Sequence, residues 1–318
     1  MNKKKKQFNF LFYVIKRLLM IVLLFFLIST AVFFMLSFTP GDPVILMLGL
    51  EASTEQVEEL REELGLNDPL LVQYWNFMKD TFLKGDLGYS YRLRTPVINE
   101  IARTLPVSAS LAILAIIVSS FIAIFLGTFS AIKQYSFLDE FTKVFVLAGV
   151  SMPSFWLGLM LILIFSVKLG LFPAGGWGGG WKYYVLPVLA LATNPLAVTA
   201  RLSRSTMLEV IRQDFIITCR AKGLHESSVI FKHALRNAAI PVYTLIGLRF
   251  GNLLTGAVVT ETIFGIPGLG RLTISAVYSR DYVLIRGCIL TIALIFAIIN
   301  LIVDLTCPLL DPRTKPNY

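Results

Sequence analysis

Residues 214–241 read Asp214-Phe-Ile-Ile-Thr-Cys-Arg-Ala-Lys-Gly223, then Leu224-His-Glu-Ser-Ser-Val-Ile-Phe-Lys232, then His233-Ala-Leu-Arg-Asn-Ala238, and on to Pro241. This polar stretch lies between two long apolar runs. Hydrocarbon offers its backbone and charges no partners, so it must face water or another protein. Gly223 breaks the helical pattern between two short amphipathic pieces and allows a sharp turn. Cys219 and Ala221 are small enough for a partner's backbone to come close, and Arg220 and Lys222 offer charge. The stretch therefore predicts a helix-turn-helix that docks a partner protein. A basic amphipathic loop resting on anionic headgroups is the other reading of the same residues.

Outward from the insert, the chain is built for a bilayer. Of its 318 residues 56% are hydrophobic and 15% charged, well below the quarter or so that is charged in ordinary soluble domains. The net charge of +9 is read as basic loops on the cytoplasmic side, with no nucleic-acid partner. Cys219, Cys288 and Cys307 are widely separated, show no metal-ligand spacing and are read as packing residues. Lys3 to Lys6 resemble the start of a signal peptide. The apolar stretch after Arg17 is too long for one and lacks a small-residue cleavage site, so it is expected as a retained first span.

Apolar runs of about 20 residues cross the hydrocarbon. Six are expected: Leu18–Phe38, Leu105–Ile132, Val144–Val167 kinked at Pro153, Tyr183–Ala200 interrupted by Pro187 and Asn194-Pro195, Ala238–Thr260, and Leu284–Leu305. The turn Pro40-Gly-Asp-Pro43 ends the first. The implied partition is 1–43 for the amino-terminal segment and first span, 44–104 for a small extracytoplasmic domain, 105–308 for the five-span transmembrane domain carrying a loop at 205–237, and 309–318 for a tail. In 44–104, a helix is expected to open near Ser53 and Thr54 with acids in its first turn. Interleaved aromatics (Tyr74, Trp75, Phe77) argue for a folded segment rather than disorder. The glycines of Gly175-Gly-Trp-Gly-Gly-Gly-Trp181 read as a flexible turn and its tryptophans as interface anchors, a substrate role being the alternative. Glu261 to Asp281 are expected to form an outer loop, with Pro267-Gly-Leu-Gly270 as its turn. Basic residues from Arg201 to Arg236, with Arg313 and Lys315 in the tail, put both termini in the cytoplasm.

The insert resembles the loop that membrane subunits of type I ABC importers present to their ATPases, in the branch carrying dipeptides, oligopeptides and nickel. The matching residues are Asp214-Phe215-Ile216, Cys219-Arg220-Ala221-Lys222-Gly223-Leu224, His233 to Ala238, and Pro241. Cys219 stands where the branch has alanine. Ile217-Thr218-Cys219 occupies the position of the superfamily's Glu-Ala-Ala element, so no acidic residue at 217 pairs with an ATPase. Gly85-Asp-Leu-Gly88, Ser151-Met-Pro153, Arg204-Ser-x-Met-Leu-Glu209, Glu261-Thr-Ile-Phe264, Arg280-Asp-Tyr282 and Asn300-Leu-Ile-Val-Asp304 extend the similarity, in order, over nearly the whole chain.

The resemblance implies an all-α integral membrane protein with six transmembrane helices of the type I importer fold. It implies a permease subunit in the cytoplasmic membrane, forming half of a pathway for peptides, with nickel or a metal chelate as the alternative cargo. The implied partners are a second permease, two ATP-binding subunits and an extracytoplasmic solute-binding protein, besides membrane lipid. The coupling residues it implies are Asp214, Phe215, Thr218, Cys219, Arg220, Ala221, Lys222, Gly223, Leu224, His233, Arg236 and Asn237.

The residues themselves fit a transport subunit that is not an enzyme. There is no Gly-x-x-x-x-Gly-Lys-Ser/Thr phosphate loop, so ATP and Mg would be bound by partner subunits and this chain binds no cofactor or metal. The only histidines, His225 and His233, lie in the insert, away from membrane depth where a hydrolase would need a base. An ion-coupled carrier would want carboxylates inside its spans, and only Asp304 comes close. A self-standing channel would have no use for a docking loop. Arg249 sits near the middle of the fifth span, where a charge is costly and usually functional. It either lines the pathway and meets a substrate carboxylate, or caps backbone carbonyls of a neighbouring helix.

Overall fold

The computed structural model describes residues 3–39, 43–48, 52–63, 65–90 and 92–310. Pro40 to Asp42 of the predicted first turn, and Arg313 and Lys315 of the tail, lie outside them. In chain order the helices are α1 (Lys3–Ser37), α2 (Pro43–Leu48), α3 (Thr54–Glu63), α4 (Leu70–Lys79), α5 (Val97–Ile132), α6 (Phe137–Ser151), α7 (Ser154–Leu161), α8 (Lys182–Ile211), α9 (Asp214–Ala221), α10 (Leu235–Ile263), α11 (Leu269–Ser279) and α12 (Tyr282–Leu310). Strands β1 (Tyr89–Ser90) and β2 (Thr95–Pro96) pair antiparallel. Four helices, α1, α5, α8 and α12, are individually long and apolar enough to cross a membrane, and two bent pairs bring the number of spans to as many as six.

The chain forms two units, Met1–Ser108 with Pro267–Ile298, and Ala109–Ile266 with Ile299–Tyr318. Helices α5 and α12 each begin in the first and end in the second.

In the first unit, α3 opens where Ser53 and Thr54 predict. The Ser53 hydroxyl accepts the Gln56 N–H while the Gln56 side chain accepts the Ser53 N–H, a reciprocal cap. The aromatics of α4 lie along α1. Phe77 stacks on Phe33 at 5.5 Å, and Tyr74 shares a 2.8 Å hydrogen bond with Thr30. Beyond α4, on π-helical turns, Phe82 meets Phe25 edge-on at 5.2 Å. Helix α4 and the start of α5 therefore share a core with the helices around them. One cluster joins Phe33, Phe77, Met78 and Leu290; another joins Val97 and Ile101 to Leu269, Leu284, Ile285 and Cys288. The guanidinium of Arg286 lies over the Phe77 ring, 4.2 Å from its centre, a contact that favours a cation where water is scarce.

The Arg280-Asp-Tyr282 motif is a helix cap. Arg280 takes a left-handed conformation (φ 54°), and the Asp281 carboxylate accepts the Leu284 N–H at 3.0 Å while its other oxygen accepts the buried Ser90 hydroxyl. Asp281→Ala removes the cap and leaves the Ser90 hydroxyl, which still accepts the Leu93 N–H, with no acceptor for its proton. We expect a loss of about 2 kcal/mol, the upper end for a cap, read as a lower midpoint for thermal aggregation of the solubilised protein. Asp281→Asn should recover most of it.

In the second unit α8 is central, and α6, α7 and α10 pack against it. Three expectations are corrected here. The third span is not one kinked helix: α6 and the helix continuing α7 meet at 108°. Met152 (ψ 126°) and Pro153 (ψ 135°) are both extended, because proline has no N–H to donate and disfavours the helical region for the residue before it. The fourth span is not interrupted. Helix α8 runs unbroken through Pro187 and Pro195, both buried, with most of its apolar window enclosed; neighbouring helices hold a proline-containing helix together when they surround it. The region after Thr260 is not a plain loop. Helix α10 continues to Ile263 with Glu261 fully buried, and α11 occupies Leu269–Ser279.

The glycines of residues 175–181 do more than lend freedom to a turn. A Cβ on Gly175 would stand 2.5 Å from the Phe264 carbonyl oxygen, and one on Gly179 would enter the Tyr183 ring. The Gly176 N–H donates to that same carbonyl at 2.8 Å, and Trp177 packs on Tyr184 with ring centres 4.3 Å apart.

Candidate docking site

The insert folds as a helical hairpin. Its first arm is α9; its second is a run of π-helical turns, Ser228–Ala234, that leads directly into α10. The turn depends on Gly223, whose φ of +74° is the left-handed region that suits glycine. No atom lies within 4 Å of where a Cβ would be, so the demand there is on the backbone and not on space.

Sequence periodicity gives the hairpin two faces. Inward, Ile216, Val229, Ile230, Ala234 and Ala238 close on Met207 and Val210 of α8 and Ala131 of α5, with Phe215 and Cys219 packed at the edge. Outward stand Asp214, Ile217, Thr218, Arg220, Ala221, Lys222, Gly223 and Leu224, with Phe231 and Lys232 on the second arm and Arg236 and Asn237 at the start of α10. Of the sequence-predicted residues, Phe215, Cys219 and His233 are half-buried and the others exposed. Cys219 thus supports the hairpin from beneath, while Ala221 keeps the outer face low. The Asn237 side chain donates to the His233 carbonyl, and Thr218 to that of Asp214. Arg249 is half-buried on α10, remote in sequence from the hairpin.

Sequence reasoning missed Glu226. It receives two hydrogen bonds from Arg220, at 2.7 and 3.1 Å, tying α9 to the far side of the turn. Only a spacing of six across a glycine hinted at this. The pair lowers the Glu226 carboxyl and raises the Arg220 guanidinium relative to their ordinary values, chiefly through that hydrogen bonding. Both side chains are about half exposed, so the pair is worth at most about 1 kcal/mol. A depressed carboxyl contributes above the ordinary carboxylate range and loses the contribution as pH falls through its folded value. Hydrogen exchange at the turn should therefore quicken no more than about fivefold in Glu226→Gln at neutral pH. The difference from wild type should vanish once acid has protonated Glu226.

Sequence reasoning also missed how the helix ends beneath the hairpin are joined. Arg204 of α8 donates from Nε and Nη2 to both oxygens of Asp139 on α6, at 2.7 and 3.0 Å. Asp139 is fully buried and also accepts the Ser130 hydroxyl and the Tyr135 N–H. These partners are 65 and 74 residues from Arg204 in sequence, and no local pattern joins them.

With this geometry in view, comparison with known proteins is decisive. Residues 123–316 match the family described as binding-protein-dependent transport system inner membrane component, and residues 10–112 match the amino-terminal family of the same systems. The chain belongs to this permease family. It is similar to the dipeptide transport system permease protein of Alkalihalophilus pseudofirmus, with 42% identity over 96% of this chain and 99% of that one. It is also similar to the glutathione transport system permease protein of Escherichia coli, with 40% identity over the same shares. An amino acid ABC transporter crystallised with histidines shares the fold, with a TM-score of 0.52 at 17% identity over 68% of this chain and 94% of that one. The permease is thus a mostly helical integral membrane component of an ABC transporter and works with partner subunits.

Proposed function

We propose that this permease forms half of the translocation pathway of a peptide importer in the cytoplasmic membrane, with both termini on the cytoplasmic side. The observation that carries the reading is the two-faced hairpin. Its apolar face is sealed onto α8 and α5, and its polar face is exposed, in a chain whose full-length relatives include a dipeptide and a glutathione permease. In this reading two ATP-binding subunits hold ATP and Mg and dock on the outer face of the hairpin. A second permease completes the pathway, and a solute-binding protein delivers cargo from outside. The chain itself holds no cofactor and performs no hydrolysis. Closure of the ATPases moves the hairpin as a rigid body, and the spans switch between inward-open and outward-open states. Arg249 lines the pathway and meets the peptide carboxylate; unchanged uptake of every peptide by Arg249→Gln would remove it from that role.

The test is purification from native membranes in mild detergent, followed by ATPase and uptake assays with a dipeptide and with nickel, for wild type and Gly223→Asp. An ATPase and a second permease that copurify, and are lost or uncoupled in the variant, support the reading. A chain that purifies alone and transports regardless of residue 223 would overturn it. Nickel uptake without dipeptide uptake would overturn the cargo alone.

A further inference from the structure

The buried ion pair at the base of the hairpin has no place in docking, because none of its members reaches the hairpin's outer face. Its position gives it another task. Ser130 and Asp139 flank the turn between α5 and α6, and Arg204 reaches them from α8. Asp139 is fully buried, while Lys143, one turn further along α6, adds an outer contact at 3.3 Å. Four donors thus converge on one carboxylate: the Arg204 guanidinium, the Ser130 hydroxyl, the Tyr135 N–H and the Lys143 ammonium.

Two of those three helix ends, of α5 and α8, carry the hairpin, and the ion pair ties α6 to them. Ala131 follows Ser130 directly, and Met207 and Val210 lie one and two turns beyond Arg204. All three belong to the core that seats Ile216, Val229 and Ile230. One turn before Ser130, Gly127 lets α5 touch the α8 backbone, since a Cβ there would stand 2.6 Å from the Ala200 carbonyl oxygen. Apolar contacts between helices resist separation but tolerate sliding. A guanidinium held at two carboxylate oxygens fixes direction as well as distance.

We propose that Arg204 and Asp139 are positioning residues for energy coupling: their ion pair locks the ends of α5, α6 and α8 to the docking hairpin, so that a displacement of the hairpin moves α6 and α8 together. The inference rests on the importer reading and assigns a device within it. Without the pair, hairpin movement is absorbed by sliding at the helix ends, and ATP is hydrolysed with little transport.

The test uses the complete transporter reconstituted in proteoliposomes. Peptide taken up per ATP hydrolysed is compared for wild type, Arg204→Ala, Asp139→Asn and Arg204→Lys. We expect the ratio to fall about tenfold in the first two variants, the scale of coupling changes from residues that touch neither ligand, and to stay low in Arg204→Lys, which keeps the charge but cannot hold both carboxylate oxygens in a fixed direction. A wild-type ratio in assembled Arg204→Ala and Asp139→Asn transporters would sink the proposal and leave the pair a stability element. A second measurement does not depend on variants of the pair that fold. Spin labels at Phe137→Cys and Ser227→Cys, with the native cysteines replaced by alanine, report the distance from α6 to the hairpin. It should stay constant between nucleotide-free and vanadate-trapped states; a change of about 5 Å, one helical turn, would show that the two move independently. Failure of the importer reading looks different: the wild-type preparation itself would show no ATP-dependent uptake.

Discussion

Gly127→Ala is expected to cost about 3 kcal/mol, the upper end for overpacking, and to deplete the protein from the membrane. The added Cβ would sit 2.6 Å from the Ala200 carbonyl oxygen and 2.6 Å from the Ser203 Cβ, both on α8. A carbonyl within a helix cannot turn aside, so α5 and α8 must separate. Helices in lipid gain little by hydrophobic exclusion and associate through close van der Waals contact, so separation removes what holds them. Gly158→Ala is the control. Its Cβ would come no nearer than 3.3 Å, to the edge of the Phe264 ring, which need give by only a few tenths of an ångström. Accumulation in the membrane and the midpoint for thermal aggregation of the solubilised protein both report the difference. Equal stability of Gly127→Ala and wild type would contradict the close approach of α5 and α8.

Ile216→Ala should destabilise the hairpin by about 3 kcal/mol, within the usual range for truncating a buried isoleucine. Ile216 is 0% exposed, against Met207, Val210, Val229 and Ile230. The hairpin is expected to stand in water, where apolar burial has its full driving force, unlike contacts made in lipid. Its neighbour Ile217 is 58% exposed. Ile217→Ala should change stability by less than about 0.5 kcal/mol and act, if at all, on ATPase docking. Tryptic cleavage after Arg220 or Lys222 in the solubilised protein separates the two: Ile216→Ala should be cut far faster than wild type, and Ile217→Ala at the wild-type rate. Equal protection in both variants would mean that the inner face does not hold the hairpin down.

Much of this molecule is written locally. Long apolar runs specify spanning helices because hydrocarbon leaves the backbone no partner but itself. The polar insert at 214–241 and the glycine at 223 specify a hairpin, since apolar periodicity and a left-handed turn are properties of neighbouring residues. The cap at Ser53 and the aromatic interleaving of residues 74–77 belong to the same class. Misreadings fell where a local rule was outweighed by packing. Pro187 and Pro195 look like breaks, yet enclosure of α8 keeps the helix whole. The glycines of residues 175–181 look like slack, yet Gly175 and Gly179 are spaces that Phe264 and Tyr183 fill. Pro153 is a different case: proline's local effect is larger than a kink, and two extended residues in succession turn the chain through 108°.

The candidate site divides in the same way. Which residues form the hairpin could be read from residues 214–241 alone. Which of them face outward could be read only in part, because Cys219 turns inward and Arg220 spends its charge on Glu226. The sequence by itself determined membrane-spanning helices with a polar helical hairpin between them, since helical periodicity, hydropathy and turn chemistry act over a few residues, and its ordered motifs carried the resemblance to the permease family. Only the tertiary structure decided what joins the helix ends beneath that hairpin. Arg204, Asp139 and Ser130 come from three separate helices, and a buried charge finds its partner through the packing of the chain rather than through its spacing.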